Sequence, residues 1–228
     1  LGNHEFNYGL GLLDKIRAEA AFPLVLANLA EGGAPVRPWA LLDRVLTDTA
    51  GRDWPVKIGV IGFAPPQIAL WERLRLTGHI ATEDIVQAAR RHVPDLRAAG
   101  AEIVVGLCHS GIGAEDHSDG MENAALPLSA VEGIDILVLG HTHGIFPTGG
   151  LPVAGGVDPI VGTLNGKPAV MAGAFGSHLG LIDLLLDRHE DQWRIAGHAV
   201  AALPASGQVA GAGPPPADAE IARLTAPA

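Results

Sequence analysis

The amino-acid sequence predicts an α/β fold in which β-sheets are flanked by helices. Of the 228 residues, 48% are hydrophobic and only 18% are charged, which is enough apolar material for one sizeable domain with a true core. Continuous apolar runs of strand length recur along the chain, and such runs are typical of strands covered on both faces. Segments with helical spacing also occur. Together these observations favour buried sheets between helices over a disordered chain.

The first predicted elements are a helix and two strands, at residues 10–21, 22–28 and 56–63. The helix would place Leu12, Leu13 and Ile16 on one face, because these positions share a side of a 3.6-residue repeat. The second strand would end at Pro65-Pro66, since proline has no N–H for a hydrogen-bond ladder.

A longer helix and two more strands follow. Thr82 is the predicted N-cap of the helix, which continues to Leu96, and Gly100 lies just past its end. Apolar runs at 103–107 and 136–139 predict two further buried strands.

The last third of the chain predicts antiparallel strands. Segments 160–164 and 167–172 flank an Asn-Gly dipeptide, which favours the type I′ turn of a β-hairpin. A strand at 178–187 is expected to pair with 192–200.

Bulk properties exclude several classes of partner. The net charge of −10 argues against a surface that binds nucleic-acid polymers. The single cysteine, Cys108, excludes an internal disulfide and is expected to be a small buried hydrophobe. No apolar run reaches the roughly 18 residues of a transmembrane helix, so no membrane span is expected.

Three histidine-containing motifs carry the most specific chemistry: Gly2-Asn3-His4-Glu5, Cys108-His109-Ser110 and Gly140-His141-Thr142-His143. Ligands bind beyond the carboxyl ends of strands in open α/β sheets, and the last two motifs follow predicted strands. His141 and His143 would face the same way in an extended segment. Amide and imidazole groups suit Zn, Mn or Fe. The prediction is that Asn3, His109 and His141 hold one metal ion. The other ion would be held by His143.

Each motif also has a structural interpretation. A single histidine at a strand end is usually a satisfied polar residue, and Asn-His after glycine can be turn chemistry. Only the joint pattern favours a metal site. His178 stays open between a structural residue and one near the site. The other histidines are expected to be exposed or structural: His79, His92, His117, His189 and His198.

The predicted ligand set lacks a carboxylate. Paired metal ions in such sites lie about 3.5–4 Å apart, and negative charge normally offsets their repulsion. Glu5 follows His4, but a local structural role is the stronger interpretation. The missing carboxylates are therefore expected upstream of Leu1, in a longer protein.

The motifs resemble the metallophosphoesterase (calcineurin-like) domain of the bacterial 2′,3′-cyclic-nucleotide 2′-phosphodiesterase/3′-nucleotidase family, in the 5′-nucleotidase superfamily. The similar stretches are residues 2–9, 61–68, 109–111, 140–143 with Phe146-Pro147, and 162–166. The resemblance covers most of residues 1 to 195. It implies a sandwich of two mixed β-sheets flanked by helices, with the N-terminal strands missing.

The resemblance also implies roles for the motif residues. Asn3, His109 and His141 match ligands of one divalent metal ion, and His143 matches a ligand of a second. The identity of the two ions stays open among Zn, Mn, Fe, Co and Mg. His4 matches the family's catalytic histidine, which stabilises the phosphate in the transition state or assists the leaving oxygen.

Asn7 departs from the related 5′-nucleotidases, in which an aspartate usually orients that histidine. An amide can hold the ring of His4 by a hydrogen bond, but it cannot stabilise an imidazolium by charge. This departure favours the cyclic-nucleotide group. The expected reaction is metal-dependent hydrolysis of nucleoside 2′,3′-cyclic phosphates and 3′-nucleotides, with the nucleotide as substrate and the oligomeric state open.

The domain prediction follows from this resemblance. Residues 1–200 are expected to be part of the metallophosphoesterase domain. Residues 201–228, rich in Ala, Gly and Pro, are expected to link it to an absent nucleotide-binding domain, with 217–224 able to begin a helix. The family implies a periplasmic, cell-envelope or secreted location. Two alternatives stay open: a 5′-nucleotidase or UDP-sugar hydrolase on the same fold, and a non-catalytic fragment without a complete metal site.

Overall fold

The computed structural model describes residues 1–30, 36–148, 155–205 and 218–224. Its strands are β1 (Trp39–Thr47), β2 (Asp53–Phe63), β3 (Ile103–Cys108), β4 (Ile136–Leu139), β5 (Ile145–Phe146), β6 (Val157–Asp158), β7 (Thr163–Leu164), β8 (Lys167–Ala172), β9 (His178–His189) and β10 (Gln192–Pro204). Its helices are α1 (Leu10–Glu19), α2 (Ile68–Trp71), α3 (Arg73–Leu76), α4 (Ile85–Ala98), α5 (Ala125–Ser129) and α6 (Ala219–Leu224), with a short 3₁₀ helix at His4–Phe6.

A mixed sheet of eight strands forms the centre of the described chain. Its order is β1-β2-β3-β4-β8-β7-β6, with β5 paired to β8. The strands β2, β3, β4 and β8 run parallel to their neighbours in this central part. Register aligns Phe63 with Cys108, and Cys108 with Leu139. The carboxyl ends of β2, β3 and β4 therefore open onto one edge of the sheet, where their loops meet.

Two long antiparallel strands, β9 and β10, form a second sheet. Half-buried and exposed residues alternate along β9, as a two-residue period requires when one face is covered. Ile182 and Leu184 of this sheet pack with Ile103 and Ile136 of the first. The next residues along β3 and β4 face the other way and pack with α4 and α5. This is the predicted sandwich flanked by helices, although the second sheet is antiparallel rather than mixed.

The N-terminal segment is anchored by one aromatic side chain. Phe6 is fully buried, and it packs in a separate apolar cluster with Leu26, Ala64 and Ile68. The backbone N–H of Asn7 donates to the carbonyl of His4 at 3.1 Å, which closes the short 3₁₀ turn. The segment that carries Asn3 and His4 is therefore held against the loop that follows β2.

The predicted strands at 56–63, 103–107 and 136–139 are confirmed as β2, β3 and β4, with small changes at their ends. The Asn-Gly hairpin is also confirmed: β7 and β8 pair antiparallel, and both Asn165 and Gly166 have the positive φ of a type I′ turn. The strand pair β9 and β10 is confirmed as well.

The predicted strand at 22–28 is wrong. Residues 25–29 are buried, but they make only isolated bridges, one from Val25 to Arg37 and one from Leu29 to Thr82, instead of a continuous ladder. Their backbone is still satisfied, because Ala27 N–H donates to the carbonyl of Gly62 at 2.7 Å. An apolar run predicts burial, and burial alone does not require a ladder.

Two helix predictions need correction. In α1 only Leu13 is buried, whereas Leu12 and Ile16 are exposed, so the predicted apolar face is wrong. The N-cap of α4 is Asp84, which accepts from the N–H of Gln87. Thr82 instead donates its hydroxyl to the carbonyl of Pro66 at 2.5 Å. The periodic pattern identified each helix, but it did not identify the side chains that are buried in α1 or the side chain that caps α4.

The strand β1 was not predicted. Its centre, including Asp43 and Arg44, is largely exposed, so it lacks the apolar run that identified its neighbours. At the other end, β10 continues past residue 200 to Pro204. The Pro214-Pro215-Pro216 stretch of the predicted linker lies outside the described residues. No helix in the described ranges combines the length and apolar character needed to cross a membrane.

Candidate metal and phosphate site

The loops after β3 and β4 bring two of the predicted histidines together. His109 directly follows β3, and its N–H donates to the carbonyl of Phe63 at the end of β2 at 2.8 Å. His141 lies in the loop after β4. The centroids of the two imidazole rings are 5.5 Å apart. The parallel register of the strands therefore brings His109 and His141 close together, as expected for residues that follow neighbouring strands.

The N-terminal loop lies directly on His109. The side-chain oxygen of Asn3 is 2.9 Å from Nε2 of His109, across more than a hundred residues of sequence. A Cβ on Gly2 would come within 3.0 Å of the imidazole ring, and one on Gly140 within 3.1 Å of its Nδ1. Glycine at both positions is what permits this close approach. Asn3, His109 and His141 thus form one group of possible metal ligands, which we call the donor group.

His141 has two further neighbours that the sequence did not indicate. Its ring stacks on the indole of Trp71, with centroids 5.7 Å apart and planes 23° apart. Its Nε2 lies 2.7 Å from Oε1 of Glu122. The loop of Glu122 is fixed, because the Ser110 hydroxyl donates to the carbonyl of Glu122 at 2.8 Å. A carboxylate therefore reaches the site from a loop that carries no strand-end signal.

Negative charge at the site is greater than the sequence indicated. In addition to Glu122, Glu5 approaches His109 closely enough to oppose the lowering of its pKa. The Oε2 of Glu5 also accepts from the N–H of Gly2 at 2.5 Å, the local structural role expected of it. Two carboxylates of this chain therefore border the donor group, and the expectation that carboxylate ligands lie upstream of Leu1 stays a prediction.

A second polar group includes His4. Its Nδ1 lies 2.7 Å from the side-chain oxygen of Asn7, the pairing that the resemblance implied. The amide nitrogen of Asn7 donates in turn to Oε1 of Glu72 at 2.6 Å. Glu72 also contacts Arg75, whose Nη1 is 3.3 Å from Oε2. The result is a line of polar contacts from the surface ring of His4 to a largely buried carboxylate.

The predicted extended geometry of the loop after β4 is wrong. His141 and His143 have φ values of 70° and 59°, so both occupy the left-handed region and do not alternate along a strand. The ring of His143 lies against the fully exposed Phe175, with centroids 5.9 Å apart. Within the described chain, no hydrogen bond or ring contact joins His143 to the donor group of Asn3, His109 and His141.

The chemistry of this donor group fits a divalent cation. Burial, reinforced by the neighbouring His141, lowers the pKa of His109, which keeps its ring neutral and able to donate a lone pair. Two imidazoles, an amide oxygen and an adjacent carboxylate suit Zn, Mn, Fe or Co. The stacked indole restricts the ring of His141.

A different set of residues could also hold a metal ion. Ligand atoms of Asp84, His117 and Asp119 lie within 4.8 Å of one another. Asp84 already accepts from the backbone N–H groups of Gln87 and Gly120 and contacts Nε2 of His117 at 3.0 Å. These contacts hold the loop of residues 117–120 to the start of α4, which is a structural role for His117. His178, left open above, contacts the Ser177 hydroxyl at 2.9 Å.

Cys108 is buried, as the sequence predicted. Burial raises the pKa of its thiol to about 12, so the thiolate is rare in the folded protein at ordinary pH. We expect a disulfide reagent to label Cys108 rapidly only after denaturation. Because the folded pKa lies above the unfolded one, the thiol stabilises the fold fully below about pH 8.5 and loses that contribution as pH rises toward 12.

This prediction is checked by labelling and by urea unfolding between pH 8 and 11. The unfolding free energy of the wild type should fall more steeply with pH than that of Cys108→Ala, which has no thiol. Equal slopes, or rapid labelling of the folded protein, would contradict the assignment.

Comparison with known proteins extends these observations. No protein-family profile matches the chain. A 2′,3′-cyclic-nucleotide 2′-phosphodiesterase/3′-nucleotidase of Yersinia enterocolitica is 41% identical over 198 residues, which cover 86% of this chain and 30% of that protein. A 5′-nucleotidase of Diplobatis ommata is 31% identical over 198 residues, 83% of this chain and 32% of that protein.

The solved structure of the calcineurin-like phosphoesterase YfkN from Bacillus subtilis superposes with a TM-score of 0.88. It is 38% identical and covers 93% of this chain and 65% of that one. The fold is therefore that of a calcineurin-like phosphoesterase, a class of hydrolases. Within this class, the chain is similar in sequence to the 2′,3′-cyclic-nucleotide 2′-phosphodiesterase/3′-nucleotidases, as its motifs predicted, and it spans about 30% of the length of the curated relative.

Proposed function

We propose that the protein hydrolyses nucleoside 2′,3′-cyclic phosphates and 3′-nucleotides at the edge of the sheet where β3 and β4 end. The observation that carries the proposal is the convergence of Asn3, His109 and His141, with 2.9 Å between the first two side chains and 5.5 Å between the two rings. The relatives of known function with about 40% identity bear this activity in their names.

In this proposal Asn3, His109 and His141 hold one divalent ion, and His143 is a ligand of a second. When bound, such ions supply positive charge to phosphate oxygens and make a bound water more acidic. Glu122 contacts Nε2 of His141, so it leaves Nδ1 of that ring for the metal and fixes the ring's orientation. The local cations are required because the chain's net charge of −10 repels a phosphate.

His4 is the proposed catalytic residue. Its ring is exposed beside Asn3, and Asn7 holds its Nδ1. Nε2 is then the nitrogen available to the phosphate or to the leaving oxygen. A positioned imidazole in this role typically contributes a factor of about 10² to 10⁴ to the rate.

The second candidate is a 5′-nucleotidase activity. It is favoured by the more distant relatives, such as the 31% identical 5′-nucleotidase of Diplobatis ommata. The higher identity of the cyclic-nucleotide enzymes and the amide at position 7 favour the first candidate.

The proposal includes a domain arrangement. Residues 1–200 would be part of the catalytic domain, and residues 201–228 would lead to a region that binds the nucleobase. The 30% share of the relative's length is consistent with such a partner region. A periplasmic, cell-envelope or secreted location belongs to the same proposal.

A substrate panel tests the proposed function. We expect the chain, saturated with Mn²⁺ or Co²⁺, to release phosphate from 3′-AMP and to open 2′,3′-cyclic AMP faster than it hydrolyses 5′-AMP or a UDP-sugar. The turnover of these 228 residues alone should lie below the usual enzyme range of about 1–10³ s⁻¹, because the ligand set for two ions is incomplete. His4→Ala is the matched variant and should reduce the preferred activity by about 10² or more.

The outcomes are distinct. Preference for 5′-AMP would support the second candidate. Full turnover by the chain would contradict the incomplete ligand set. Activity unaffected by His4→Ala would reject the role of His4.

A further inference from the structure

The orientation of His4 is set by a residue outside every motif discussed above. Glu72 lies between α2 and α3, next to Trp71, and its side chain is only 15% exposed. It does not contact His4. It accepts a hydrogen bond from Asn7, which in turn contacts His4. The same short segment therefore supports His141 through Trp71 and His4 through Glu72.

The direction of these hydrogen bonds is fixed by the carboxylate. An ionised carboxylate can only accept, so the group of Asn7 that faces Glu72 at 2.6 Å must be its NH₂. The opposite orientation of the amide would place its oxygen against the carboxylate, and two acceptors repel. The carbonyl oxygen of Asn7 is therefore left to face Nδ1 of His4 at 2.7 Å.

The same logic reaches the imidazole. An amide oxygen has no proton to give, so Nδ1 of His4 must carry one. In the neutral ring the other nitrogen, Nε2, then bears the lone pair. Arg75 contacts the second oxygen of Glu72 at 3.3 Å and helps to keep the carboxylate in place.

The geometry points to Glu72 as a positioning residue that selects the Nδ1–H tautomer of His4 through the amide of Asn7. This inference rests on the proposed function, because it gives His4 the nitrogen with which it would meet the substrate. In this relay the carboxylate does not contact the histidine directly. Glu72 orients the amide of Asn7, and the oxygen of that amide then accepts a hydrogen bond from Nδ1 of His4.

The test measures the tautomer directly and needs neither metal nor substrate. The 228-residue chain is labelled with ¹⁵N, and long-range ¹H–¹⁵N correlation spectra are recorded in mildly alkaline buffer. Protonated and lone-pair nitrogens resonate far apart, so each spectrum reports the tautomer ratio. His4→Gln identifies the His4 signals by their loss.

We expect Nδ1–H to dominate in the wild type. In Glu72→Gln the side chain at position 72 can donate or accept, so it no longer fixes the orientation of the Asn7 amide. The tautomer ratio of His4 should therefore move toward Nε2–H by about tenfold, which is the scale of one charge-assisted hydrogen bond. Asn7→Ala removes the link itself and should give a shift of similar direction. Glu132→Gln is the matched control, because Glu132 is exposed and precedes β4 at the other end of that strand. It should leave the ratio unchanged.

The alternatives are separable. A wild-type ring in the Nε2–H form, or a ratio unchanged in Glu72→Gln, would overturn the relay. If Glu72→Gln fails to fold, Asn7→Ala still tests the link, since residue 7 is only partly buried. An unchanged ratio in Asn7→Ala, or a wild-type ring in the Nε2–H form, then overturns the relay. Preference for 5′-AMP in the substrate panel would reject the proposed function and leave the tautomer result standing. The two failures are thus distinguishable.

Discussion

Replacing His141 with alanine is expected to lower the affinity of the chain for Mn²⁺, Co²⁺ or Zn²⁺ by more than about 100-fold. Loss of a residue that merely supports a metal ligand already lowers affinity by about 10- to 100-fold, and loss of a ligand should exceed this. The reason is structural: His141 is within 5.5 Å of the ring of His109 and is held by an indole and a carboxylate. Isothermal titration of the purified chain measures the effect.

A graded set of variants makes this prediction specific. Glu122→Gln keeps the size of the side chain but removes its charge, so it should weaken binding less than His141→Ala. His143→Ala should lower the number of ions bound, because it belongs to the second proposed ion. His79→Ala is the control, since His79 is exposed in the loop after α3. Unchanged affinity and stoichiometry in both His141→Ala and His143→Ala would reject the assignment of the site.

The sequence predicted the histidines of the site because topology makes strand ends informative. Apolar runs identify parallel strands, parallel strands end at one edge, and polar residues that follow them meet there. His109 and His141 obey this rule. The close packing of Gly2 and Gly140 against His109 became visible only in the structure, which gives the contact that a Cβ at each position would make.

The supporting residues were not predictable in this way. Glu72 is 65 residues from Asn7, and Glu122 is 19 residues from His141, and neither lies directly after a strand. Their approach depends on how short helices and loops pack, which no local pattern reports. His143 shows a different kind of error: the predicted backbone is wrong, because two left-handed residues replace the expected extended segment.

The burial of Phe6 links the stability of the fold to the site. Phe6→Ala should lower the free energy of unfolding by about 3–5 kcal/mol, the usual effect of deleting a buried aromatic ring. The ring is fully buried among Leu26, Ala64 and Ile68, and these side chains can fill the cavity only in part. Because Phe6 ends the 3₁₀ turn of His4, its loss should also loosen Asn3 against His109 and reduce metal affinity in the molecules that remain folded.

Urea unfolding at a fixed metal-free condition measures the first effect, and metal titration below the unfolding midpoint measures the second. Phe22→Ala is the matched control: it deletes the same ring from a position that is 66% exposed, and it should change stability by no more than about 0.5 kcal/mol. Phe6→Leu retains most of the apolar volume and should fall between the two. If Phe6→Ala loses stability but keeps its metal affinity, the N-terminal turn holds its position without this anchor. The proposed link between the burial of Phe6 and metal binding through Asn3 would then be rejected.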